Sequence, residues 1–149
     1  MDAQILIKMR DIAVKAIPLI MGALKQKDEN GKSMLDKLYD KIKEKSKEFG
    51  KVLTEDGLRE ALSYKERSFD SIDFKTVVSL VKKAYKLESG WRVCVLKTNG
   101  EIKQLDILVY DDKDNVVISP ECPWVHVNAS ELESDIIDLF GNKSMLILQ

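Results

Sequence analysis

One change of period divides this sequence. Between residues 4 and 87 apolar side chains recur every three or four positions, the spacing of one helix face; from Trp91 they recur every second position, the spacing of a strand. Helices followed by strands predict an α+β fold rather than an alternating parallel sheet. Asn99-Gly100, between the two longest strand-like runs, is a tight-hairpin dipeptide, because both central turn positions need positive φ and both residues tolerate it.

About four helices are expected before residue 88. The first runs to about Leu24 and is apolar over most of its circumference, with a narrow polar stripe at Gln4, Lys8, Asp11, Lys15 and Gly22. Pro18 falls inside it and should kink or divide it. A polar loop over 26–32 leads to Ser33, the expected N-cap of a helix ending near Phe49-Gly50, with Leu35, Leu38, Tyr39, Ile42 and Phe49 on one face. Thr54 caps a short helix to about Tyr64. The polar segment 65–70 then separates it from a helix over 71–87 carrying Phe74, Val77, Val78, Val81, Ala84 and Tyr85.

The strands are expected at 91–97, 101–110, 116–118 and 124–127. The apolar phase slips between Ile102 and Leu105, which predicts a bulge. Ser130 with Glu133 has the spacing of a capping box for a helix to Phe140, and Met145–Leu148 reads as a last strand or a packed tail. The expected architecture is one α+β domain over residues 1–149. Its helical part (about 1–88) packs on a three- to four-stranded antiparallel meander (about 91–149), with one further C-terminal helix.

Length and composition suit a packed core: 149 residues, 44% of them hydrophobic. Net charge is only −1, but residues 1–90 hold 19 Lys/Arg against 15 Asp/Glu and residues 91–149 hold 5 against 10. Each part should therefore favour the other, or a partner of opposite sign. The start Met1-Asp2-Ala3 lacks the basic opening of an export signal, and Cys94 and Cys122 form no paired motif. A reducing, cytoplasmic setting is expected. Lys8, Arg10, Asp11 and Lys15 interrupt the first helix too often for a span, and Asp11 on its polar stripe speaks against lying flat on a membrane.

Candidate chemistry is sparse. His126 is the one histidine; with Cys94 or Cys122 and an aspartate of the 111–114 cluster it would make a cysteine-type triad, which is the enzyme alternative. Asp111, Asp112 and Asp114 lack the glycine and spacing of a calcium loop and suit a turn. The glycines are too scattered for a phosphate cradle, and two cysteines with one histidine are too few for zinc, so no cofactor or metal is expected. Lys75, Lys82, Lys83 and Lys86 on the helix before the hairpin offer a basic stripe, the nucleic-acid alternative.

The principal expectation is binding to another protein, in the manner of an inhibitor, immunity factor, chaperone or adaptor, without catalysis. Ile5, Met9, Ile12, Ile17 and Ile20 give the first helix more apolar surface than one face of a small domain requires, and suggest a homodimer through residues 5–24. Trp124, after Pro120-Glu121-Cys122-Pro123, would be a rigid aromatic anchor.

Overall fold

The computed structural model describes residues 3–23, 34–45, 49–50, 53–98, 103–143 and 145–148. The loop at 26–32, the Ser33 cap, the Asn99-Gly100 turn and Ile102 lie outside them. The chain forms two compact units, residues 1–64 and 65–149.

The first unit holds three helices, α1 (Ala3–Ala23), α2 (Met34–Lys45) and α3 (Glu55–Ala61), with α1 packed against both others. Thr54 caps α3 by accepting the Gly57 N–H at 2.9 Å. Met9, Ala13, Ala16, Ile17 and Ile20 of α1 are buried, as are Leu35, Leu38 and Ile42 of α2 and Leu58 and Ala61 of α3. Each large side chain so buried contributes roughly 1.5–3 kcal/mol relative to exposure. Gln4, Lys8, Asp11 and Lys15 are exposed, as the stripe predicts. Pro18 does not divide α1, which continues through it to Ala23.

The second unit is a mixed sheet with two helices: β1 (Lys65–Ile72), α4 (Phe74–Ala84), β2 (Arg92–Thr98), β3 (Lys103–Tyr110), β4 (Val116–Val117), β5 (Val125–Leu132), α5 (Ser134–Phe140) and β6 (Met145–Leu148). Its order is β1-β5-β3-β2-β6, with β4 paired to β3. Every pairing is antiparallel except β1 with β5, from Lys65↔Val125 to Ile72↔Leu132.

The antiparallel meander is thereby corrected to a mixed sheet, and the polar connector at 65–70 to an edge strand. Lys-Glu-Arg-Ser-Phe-Asp-Ser-Ile shows no apolar alternation because only its last residue is buried. Ser71 and Ile72 belong to this strand, so the following helix starts later than expected. Asp73 is its N-cap and accepts from the Thr76 N–H at 2.8 Å. Antiparallel pairing is also regular from Gln104 to Tyr110, and the start of the stretch where a bulge is expected, at Ile102, lies outside the described residues. The run is apolar on both phases because Leu105, Ile107 and Val109 are buried on one face and Leu108 on the other. Ser130 lies within β5, and the capping box does not form. Glu133 is the N-cap of α5 but accepts from Ser71 Oγ on β1 instead.

One sheet face carries a core of Val93, Val95, Leu105, Ile107, Val109, Val125 and Val127, with Val77 of α4 and Ile136 and Phe140 of α5 packed on it. The other face turns Cys94, Leu96, Leu108 and Trp124 inward together with two ionisable residues, Asp106 and His126.

Candidate functional site

Asp106 interrupts the apolar run of β3, and register places it opposite Leu96 on β2 and His126 on β5. The Asp106 and His126 residues are only 1% and 4% exposed, so each charge requires a partner. Asp106 Oδ1 accepts the Trp124 Nε1–H at 2.9 Å and lies 2.6 Å from His126 Nδ1. On the far side of the ring, Nε2 is 3.1 Å from Asn128 Oδ1, and Asn128 Nδ2–H donates to Glu66 Oε1 at 2.8 Å.

The Glu66 carboxylate only accepts, so it holds the Asn128 amide with NH₂ outward and oxygen toward the ring. Both ring nitrogens then face acceptors, which is the demand of an imidazolium. Burial opposes that charge, but the hydrogen bond and charge of Asp106, aided by Asn128 and Glu66, outweigh it and raise the His126 pKa. A ring committed at both nitrogens is poorly placed to take a proton from a substrate. The chain Glu66–Asn128–His126–Asp106–Trp124 acts as a polar brace that ties β1, β5 and β3 together.

The residues of the cysteine triad are not brought together. Cys94 on β2 lies opposite Leu108, two strands from His126, and burial pushes its thiol up to about 12. Cys122 points its Sγ at the Lys86 carbonyl, 3.6 Å away, and burial raises its pKa as well. Neither environment favours a thiolate at neutral pH. The carboxylate beside His126 is Asp106, outside the expected 111–114 cluster. In that cluster Asp111 accepts the Lys113 and Asn115 N–H groups, both at 2.9 Å, which closes a turn, and Asp114 pairs with Arg92. Among the described residues no three His, Cys, Asp or Glu side chains gather as metal ligands.

Of the binding candidates, Met9, Ile17, Ile20 and Trp124 are buried inside the folded chain, and Ile5 and Ile12 are half-buried. Among the described residues, the large apolar side chains that α1 exposes are Ile7 and Leu19. Lys75, Lys82, Lys83 and Lys86 are all exposed. Acids stand at the N-terminal end of α4, where Asp73 is the N-cap and Asp135 accepts the Phe74 N–H; at the other end the Lys86 N–H donates to the main-chain carbonyl of Glu121.

The two sheet edges differ most. β1 exposes Lys65, Glu66, Arg67 and Asp70, whereas β6 is Met-Leu-Ile-Leu with Met145 38% and Ile147 50% exposed. An edge presents unpaired N–H and C=O groups, and proteins ordinarily guard them with charge, proline or a bulge. Sequence reasoning placed Met145–Leu148 but overlooked it as a site; the signal was its lack of charge at a possible strand end. Asp106 was overlooked too, although a lone aspartate within an apolar strand predicts a buried partner. No protein-family model, curated protein or solved structure matches the chain.

Proposed function

We propose that this chain is a protein-binding module of the inhibitor, immunity, chaperone or adaptor kind, working without a cofactor and without catalysis of its own. The observation that carries this reading is the uncharged apolar edge at β6, in a sheet whose other edge is guarded by charge. Both cysteines are buried free thiols, which suits a reducing compartment such as the cytoplasm. No described helix is long and apolar enough to cross a membrane. A homodimer through residues 5–24 has less support, since Met9, Ile17 and Ile20 are buried.

A nucleic-acid reading is kept for one observation, the exposed lysines of α4. Its weight is reduced by Asp73 and Asp135 at the N-terminal end of the helix, which would repel a phosphate backbone. The deciding experiment is capture of partners by the full chain from host lysate at moderate salt, with nuclease-treated controls. One stoichiometric protein that survives nuclease is expected. Retention only of nucleic-acid-dependent material, lost in Lys82→Glu/Lys83→Glu, would transfer the function to α4; nothing retained would overturn the binding reading.

A further inference from the structure

Strand β6 is hydrogen-bonded to β2 on one side, from Leu96↔Met145 to Val93↔Leu148, and among the described residues it ends the sheet on the other. Alternate residues of such a strand direct their N–H and C=O groups away from the sheet, where another strand can satisfy them. Its side chains set what that strand must look like. Met145 and Ile147 share one face with Cys94 and Leu96, while Leu146 and Leu148 turn to the other, where they line a small apolar cavity with Phe74, Val95 and Phe140. A neighbour laid along β6 therefore meets aliphatic side chains on both faces and no charge.

The exposed area selects the kind of occupant. On β6 itself only Met145 and Ile147 are exposed, by 38% and 50%, far short of the ~800 Å² per partner that a standard interface covers. That is too little for a folded face or for a second copy packed broadly against this one. It suits one added strand, whose main-chain bonds supply affinity while alternate side chains supply selectivity. Charge orients it. Lys97 follows the Leu96↔Met145 pair by one residue, with its Nζ over the Phe140 ring at 5.3 Å, and Lys143 precedes β6 by two residues. Both place positive charge at the Met145 end.

We propose, building on the binding-module reading, that β6 is a strand-addition site for an extended, uncharged aliphatic segment of another protein, flanked by acidic residues at the Met145 end. The probe is a fluorescein-labelled heptapeptide of valine, isoleucine and leucine with aspartates at one terminus, titrated against the full chain by anisotropy. Saturable binding is expected, with slowed exchange of the amides of residues 145–148. A central proline in the peptide should abolish binding, and lysines in place of the aspartates should weaken it. Ile147→Lys and Met145→Lys, at exposed positions that keep the fold by circular dichroism, should each weaken it at least tenfold. Protection of other strands, or binding indifferent to both variants, would overturn the proposal. So would a dimer dissolved by Ile147→Lys, which would make a second copy the occupant. Should neither variant fold, the exchange pattern and the proline peptide decide. A protein partner held equally by the wild type and by Ile147→Lys would sink this site while leaving the binding-module reading intact; no partner at all would sink that reading.

Discussion

The two borders of the sheet are built from opposite materials. At β1 the border is charged and is tied inward by hydrogen bonds, from exposed Glu66 through Asn128 and His126 to buried Asp106. At β6 it is held by main-chain pairing to β2 and by Leu146 and Leu148 against the small apolar cavity. A third of the residues in this chain are charged, 33%, yet none falls on β6. Charge on β1 makes strand addition costly, because an incoming segment would have to desolvate Lys65, Glu66 and Arg67. β6 itself carries no such charge. The contrast teaches that edge protection here is selective: one border is closed by its chemistry and the other left able to pair.

The strongest way to break this comparison is to remove the centre of the polar brace. Asp106→Ala would remove the carboxylate that both His126 Nδ1 and the Trp124 N–H meet, and with it the main support for charge on the buried ring. A loss of about 3–5 kcal/mol is expected in urea unfolding, the usual consequence of stripping one partner from a buried pair. Asp106→Asn retains an acceptor for Trp124 and should cost less. A loss below about 1 kcal/mol for the alanine variant would show that the brace does not hold the β1 side. On the other border the expected effect is smaller. Leu146 is half-buried, so Leu146→Ala should cost roughly 1–2 kcal/mol, less than full burial would imply. Its effect should also be local. Cys94 lies opposite Ile147 across the β2–β6 pairing, and its alkylation should quicken as that border opens. Unchanged labelling, with global stability reduced, would mean that β6 does not open independently.

How much of this could be seen in the sequence follows from what a local period can report. The α+β order, the Thr54 cap, the polar stripe of α1 and the strands after residue 91 all rest on contacts within a few residues or between neighbouring elements, and they were legible. β1 was not: an edge strand has little buried face to alternate, and its partner β5 begins 60 residues later, from Lys65 to Val125. The Ser130–Glu133 spacing misled because the carboxylate that a capping box needs accepts from Ser71 on β1. In the candidate site, Asp106, His126 and Trp124 were each visible as residues, but only the β3–β5 register shows that they meet. The exposed lysines of α4 were legible as a stripe. The binding role expected of Met9, Ile17, Ile20 and Trp124 ran into an ambiguity that apolar patterning cannot resolve, since core and interface use the same side chains.

The smallest and most specific effect concerns the outer end of the brace. His126 is the only histidine, so its ring resonance can be followed by NMR without ambiguity. Its pKa is raised in the folded chain above 6.5, the ordinary value of a histidine in an unfolded chain. The stabilisation from the charged ring is therefore complete below about pH 6.5 and is lost as pH rises through the folded value. Urea unfolding between pH 5 and 9 should show this contribution level up to about pH 6.5 and declining above it, and Asp106→Asn should flatten the decline. Glu66→Gln tests the exposed end alone. A glutamine can still offer an oxygen to the Asn128 amide, so the geometry survives while the charge is removed. The His126 pKa should fall measurably, and stability at pH 6 should change by no more than about 0.5 kcal/mol. Should the pKa remain where it was, the Glu66 end would add nothing to the ring's charge, and the β1 border would be closed by main-chain pairing and surface charge alone.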